Sequence, residues 1–106
     1  MTVNLVYITT GSQAEARAIG RALIEDRLAA CVNLIAGMLS LYRWEGRIQE
    51  DPEIVLIAKT TESRLAALIE KVKALHSYDC PCIVCVPVTG GNTDFLDWIG
   101  DEVASP

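Results

Sequence analysis

The chain has 106 residues, enough for one domain over 1–106 with a modest core. Hydrophobic residues make up 51% and the net charge is −5, a balance that argues against nucleic acid, since no basic stripe is available for phosphates. No apolar run approaches the ~18 residues of a membrane span, and Met1-Thr2-Val3-Asn4 lacks the features of a secretory leader, so the expectation is a cytoplasmic chain without a membrane partner.

Val3 to Thr9 is β-branched and aromatic and reads as a buried strand. Ser12-Gln13-Ala14-Glu15 has the form of a capping box. It opens a helix to about Leu28, with Ala18, Ile19, Ala22 and Leu23 as its apolar face. Gly20 inside that helix costs about 1 kcal/mol against alanine, a cost that close helix-to-sheet packing would explain.

Ala29 to Ile35 is a second apolar run, broken at Ala36-Gly37, and Met38 to Ile48 continues as a strand. Asp51-Pro52 reads as the turn of a long hairpin joined at Gln49 to Pro52, with Glu53 to Lys59 as the returning strand. Thr60-Thr61-Glu62 offers a second helix cap, followed by Leu65, Leu68, Ile69, Val72 and Leu75 at helical spacing. That helix stops near His76-Ser77. Pro81 keeps the chain extended, Cys82 to Val88 is a fourth strand, and Gly90-Gly91-Asn92 turns into a short helix with Phe95, Leu96, Trp98 and Ile99.

The order β-α-β-β-α-β with a final helix is an α+β, ferredoxin-like plan. Both long helices would cover one sheet face. Several strands are apolar on both faces, so the other face needs a cover, and association of subunits is the natural one.

Four cysteines stand at Cys31, Cys80, Cys82 and Cys85. Three crowd one segment, which does not suit the spread-out disulfide framework of a small secreted chain. They read as reduced thiols, packed as small hydrophobes or open to soft metals.

Three stretches resemble CutA proteins, the divalent-cation-tolerance family. They are Leu28-Ala29-Ala30-Cys31-Val32-Asn33-Leu34-Ile35, then Ser40-Leu41-Tyr42-Arg43-Trp44-Glu45-Gly46, then Pro87-Val88-Thr89-Gly90-Gly91-Asn92 followed by Asp94-Phe95-Leu96-Asp97-Trp98. They agree in order and spacing, and the resemblance runs from about Val3 to Ile99. It implies a ferredoxin-like fold, a homotrimer similar in plan to PII signalling proteins, and tolerance to divalent cations, copper in particular. The segment His76-Ser77-Tyr78-Asp79-Cys80-Pro81-Cys82 departs from the family pattern, with Ser77 for a proline and Cys82 for a glutamate. Some relatives bind copper through a first-strand cysteine and a histidine pair. The matching positions here are Ile8 and Leu75-His76, so only His76 remains.

The candidate ligands for copper or another divalent metal are therefore His76, Cys80, Cys82 and Cys31. Thiolate and imidazole suit copper(I) and zinc. Along a strand Cys80 and Cys82 share a face, and Cys85 points away. His76 at a helix end also suits a capping role. Lys59 and Tyr78 are candidates to line a pocket with it between subunits. Tyr42 and Trp44 read as trimer interface. No catalytic residues are assigned: Gly90-Gly91-Asn92 lacks the Lys-Ser/Thr of a phosphate loop, and no nucleophile with an oriented base is legible. The rival readings are a PII-like small-molecule sensor without a metal role, and an enzyme using a Cys31 or Cys82 thiolate.

Overall fold

The computed structural model describes residues 1–104. Four strands and three helices follow in the order β1 Val3–Thr10, α1 Gln13–Glu25, β2 Cys31–Trp44, β3 Arg47–Thr61, α2 Leu65–Leu75, β4 Ile83–Pro87 and α3 Thr93–Glu102. The strands form one antiparallel sheet in the order β2-β3-β1-β4. This is the expected ferredoxin-like βαββαβ arrangement with an added helix.

Period-two alternation sorts each strand between the two faces. Val6 and Ile8 of β1 stand beside Leu56 and Ala58 of β3. Together with Ala16, Ile19 and Leu23 of α1 and Leu68 and Val72 of α2 they make the core. Gly20 lies against β2, and a Cβ there would stand 3.1 Å from Val32 Cγ1. The apolar face of α1 is rotated from the expected one: Ala16 and Gly20 are buried, whereas Ala18 is exposed. Contact with β2 and α2, not periodicity alone, sets that face.

The hairpin differs most from expectation. Its turn is Glu45-Gly46, both at positive φ, not Gln49 to Pro52. Asp51 and Pro52 sit inside β3, paired with Ser40 and Leu39. Pro52 is tolerated because β1 has already ended opposite Ile54, leaving β3 a neighbour on one side only. Ala36-Gly37 does not end a strand either. It forms a bulge between Ile35 and Met38, with Gly37 at φ +86°. The two runs read as separate are thus one strand of 14 residues. The hairpin projects well beyond the helices, and the radius of gyration is 14.3 Å, against about 13 Å for a compact chain of this length.

The helix caps are half as expected. Ser12 Oγ accepts from the Glu15 amide at 3.2 Å, but the Glu15 carboxylate does not close the capping box. It accepts instead from the Ser77 amide and hydroxyl, at 3.2 and 3.1 Å, tying α1 to the loop after α2. No side chain caps the start of α2. A 3-10 turn over Glu62–Arg64 precedes it.

The second sheet face is only partly covered. α3 lies against β3 and β1, with Ile99 and Val103 buried and Phe95 near Lys59. The middle of the face is open: Val84 and Val86 of β4 are about half exposed, as is Ile35 of β2. Leu41 and Ile48 on the hairpin are 63% and 70% exposed. Among the described residues no helix is long and apolar enough to cross a membrane.

Candidate functional site

The bulge at Ala36-Gly37 decides what the hairpin presents. It shifts the alternation of β2 by one residue, so that Met38, Ser40, Tyr42 and Trp44 face the same side as Glu53 of β3 and Tyr7 of β1. The loop between α2 and β4 closes the other side with Tyr78, Asp79, Cys80 and Cys82. The result is a groove of about 540 Å³ on the open face, within the size range of small-molecule sites.

Glu53 lies in this groove and is only 9% exposed. Its one donor among the described residues is the Tyr78 hydroxyl, 2.9 Å from Oε2. No lysine, arginine or histidine among the described residues lies within ion-pair distance of it. Tyr42 donates to Asp51 Oδ2 at 2.6 Å, and Tyr7 reaches Met38 Sδ at 3.4 Å. Burial and then the bond to Glu53 push the Tyr78 phenol up to about 12. The bond to Asp51 raises that of Tyr42. Both phenols therefore stay protonated at neutral pH, and the negative charge of the groove resides on carboxylates.

His76 builds this site without lining it. It is buried directly after α2, where its ring Nε2 meets the Thr9 carbonyl at 2.8 Å and its Nδ1 accepts from the Tyr78 amide at 3.0 Å. An acceptor at Nδ1 requires the proton on Nε2, which donates to Thr9. The ring also packs on Tyr78, with centroids 4.6 Å apart. His76 thus orients Tyr78, and Tyr78 holds Glu53.

The four candidate metal ligands do not converge within one chain. Both ring nitrogens of His76 are engaged as above. Cys31 stands opposite Lys59 on β3, six residues from Glu53 and so roughly 20 Å away along the strand. There Lys59 Nζ lies 3.2 Å from Cys31 Sγ and also donates to Asn33. Cys80 and Cys82 share the groove, while Cys85 packs against the core on the other face. Among the described residues no group of three or more His, Cys, Asp or Glu side chains is arranged to hold a metal ion, so the donor set of a single chain does not make a closed metal site. Tyr78 belongs to the groove, but Lys59 does not. Tyr42 and Trp44, expected at a subunit interface, are 42% and 54% exposed and line it.

Glu53, Tyr7 and Asp51 were not candidates from the sequence. The turn expected at Asp51-Pro52 places Asp51 in a loop, and Glu53 reads only as the first residue of the returning strand. One usable signal was a charged residue opening the apolar run Glu53 to Lys59, in alternation with Val55 and Ile57.

The family model for the CutA1 divalent ion tolerance protein matches residues 4–102. A divalent-cation tolerance protein CutA of Thermus thermophilus is 50% identical over 92% of this chain and 95% of its own length. The chloroplastic CutA 1 of Oryza sativa is 44% identical, and this chain spans only 54% of its length. Among solved structures, CutA1 from Oryza sativa superimposes with a TM-score of 0.96 at 40% identity, covering 100% of this chain and 97% of that one. The Cut A1 protein from Thermus thermophilus superimposes with a TM-score of 0.93 at 47% identity, covering 94% and 97%. With a fold, a near full-length family match and a relative at 50% identity all in agreement, the chain belongs to the CutA1 divalent ion tolerance family.

Proposed function

We propose that this chain works as a homotrimer in the response to divalent cations, binding copper or a similarly soft ion at a boundary between protomers. The observation that supports it is the uncovered apolar sheet face with its projecting hairpin. On that face Val84, Val86 and Ile35 are each about half exposed, and on the opposite face of the hairpin Leu41 and Ile48 are 63% and 70% exposed. Monomeric proteins rarely leave such a surface to water. Cys80 and Cys82 in the groove offer two thiols, too few for one chain to enclose an ion, and a neighbouring protomer supplies the remaining donors in this reading. The role is binding and not catalysis: the single histidine spends both nitrogens on structure. All four cysteines are free, which supports a reducing compartment, the cytoplasm.

Equilibrium dialysis of the assembled protein with copper and with zinc tests the metal reading. The Cys80→Ser, Cys82→Ser double variant is expected to lose bound metal. Unchanged stoichiometry in that variant would reject these thiols as ligands.

A PII-like small-molecule sensor without a metal role is the second reading, favoured by the size of the groove. Its acidic lining, Glu53 and Asp79, opposes phosphate-bearing ligands.

A further inference from the structure

We propose that Arg47 of a second copy of the chain enters the groove and pairs with Glu53, so that each carboxylate is completed by a neighbouring hairpin. This rests on the trimer reading and goes beyond it by naming the residue that one copy gives to the next.

A carboxylate as deeply buried as Glu53 is ordinarily paired, because an uncompensated buried charge is costly. Among the described residues it has the Tyr78 phenol on Oε2 and no cation. Covering the open face with other copies removes the water that reaches Glu53, so the covering copy must bring the positive charge.

The sequence holds nine lysines and arginines, and their placement selects one. Arg17, Arg21, Lys71 and Lys73 belong to α1 and α2, on the other side of the sheet. Arg27 and Arg64 donate to the carbonyls of Glu102 and Val103 at the end of α3. Lys59 is held by Asn33 beside Cys31. Arg43 lies on the opposite face of the hairpin with Leu41 and donates to the Gly46 carbonyl. Arg47 remains. It is exposed opposite Trp44, on the same face as Glu53, and has no partner among the described residues. Glu53 of its own chain is roughly 20 Å away along β3, beyond the reach of one side chain, so the pair must join two chains.

The walls suit a guanidinium. Tyr7, Tyr42 and Trp44 line the groove with Glu53, and a planar guanidinium stacks on aromatic rings while it forks onto a carboxylate. Tyr78 occupies one lone pair of Oε2, which leaves both oxygens able to receive the fork. The contact runs from hairpin tip to groove, and a threefold axis closes it into a ring with one such pair at every boundary.

The test is zero-length cross-linking of the full chain in its solution assembly. Arg47→Lys keeps the charge, and a water-soluble carbodiimide condenses the new amine with a carboxyl that it touches. Covalent dimers and trimers are expected, with position 47 of one chain joined to Glu53 of another. Adding Glu53→Gln should abolish that linkage. Arg47→Glu should weaken the assembly about a hundredfold or more by sedimentation equilibrium, with an unchanged circular dichroism spectrum. Adding Glu53→Gln to it removes the repulsion and should recover about tenfold, which a role for Arg47 elsewhere on the hairpin would not give. Covalent oligomers without the linkage to Glu53 overturn the proposal, as does undiminished assembly of Arg47→Glu. If the unaltered chain sediments as a monomer, the trimer reading and this pairing fall together. If it is a trimer and the linkage is missing, this pairing alone falls.

Discussion

Replacing Tyr78 by phenylalanine removes one hydroxyl and leaves the ring against His76. The loss falls on Glu53, whose only donor among the described residues is that hydroxyl, at 2.9 Å. Hydrogen bonds to charged groups contribute about 1.5–3 kcal/mol, and a buried acceptor left without its donor costs a similar amount. Tyr78 is 38% exposed, so water can reach the vacated position in part. The expected cost of Tyr78→Phe is therefore at the low end, about 1.5 kcal/mol. Glu53→Gln keeps an acceptor for Tyr78 and removes the charge, so it should cost about 1 kcal/mol or less. The double variant has neither the charge nor the hydroxyl. Its cost should fall short of the sum of the singles by about 1 kcal/mol. Urea unfolding at one fixed protein concentration measures all four species, since association would otherwise shift the midpoints. Strict additivity of the two substitutions, or a neutral Tyr78→Phe, would refute the assignment of Glu53 as a buried carboxylate dependent on one phenol.

The same bond has a pH signature. The phenol of Tyr78 titrates near pH 10 when unfolded and is pushed up to about 12 in the fold. Its contribution to stability is thus complete below pH 10 and is lost as pH rises toward 12; ultraviolet titration should show a tyrosine near 12 that is absent in Tyr78→Phe. His76→Ala removes one buried and one partly buried hydrogen bond at once, to Thr9 and from Tyr78, and should cost about 2–4 kcal/mol by urea unfolding, with an unchanged midpoint counting against the orienting role. Gly37→Val forces a branched residue into φ +86°, and a loss of about 1–2 kcal/mol is expected. Gly20→Val drives methyl groups into Val32, since a Cβ already stands 3.1 Å from Cγ1; thermal unfolding should fall by about 1–3 kcal/mol equivalent.

The fold was legible wherever local chemistry and tertiary packing agree. The β-branched and aromatic run Val3 to Thr9, the serine cap at Ser12 and the helical spacing from Leu65 to Val72 each name an element, and the order of elements names the topology. Gly20 was legible as a packing glycine for the same reason, because a helix interior keeps glycine only under contact. The hairpin was misread because Asp51-Pro52 is a turn signal in isolation. Its status depends on whether a third strand runs alongside, and β1 ends opposite Ile54, two residues from Pro52. The bulge at Ala36-Gly37 was misread as a break for a related reason, since only pairing with Val55 and Glu53 distinguishes the two.

These two misreadings concealed the site. A one-residue shift decides which side chains of β2 share a face with Glu53, and no periodicity within β2 alone reveals it. Cys80 and Cys82 were correctly placed on one face, and Cys85 on the other. The gathering of His76 with them was not, because the ring turns inward to Thr9. The role of His76 as a structural residue at the end of α2 was among the readings open from the sequence, but its bond to Tyr78 depends on the path of the loop.

Sedimentation equilibrium at micromolar concentration tests the central claim most directly, that the open sheet face is covered by other copies of the chain. A single species of about three times the 11.5 kDa chain is the predicted result. A monodisperse species of 11.5 kDa would contradict it, and would leave Val84, Val86 and Ile35 in water without a reason.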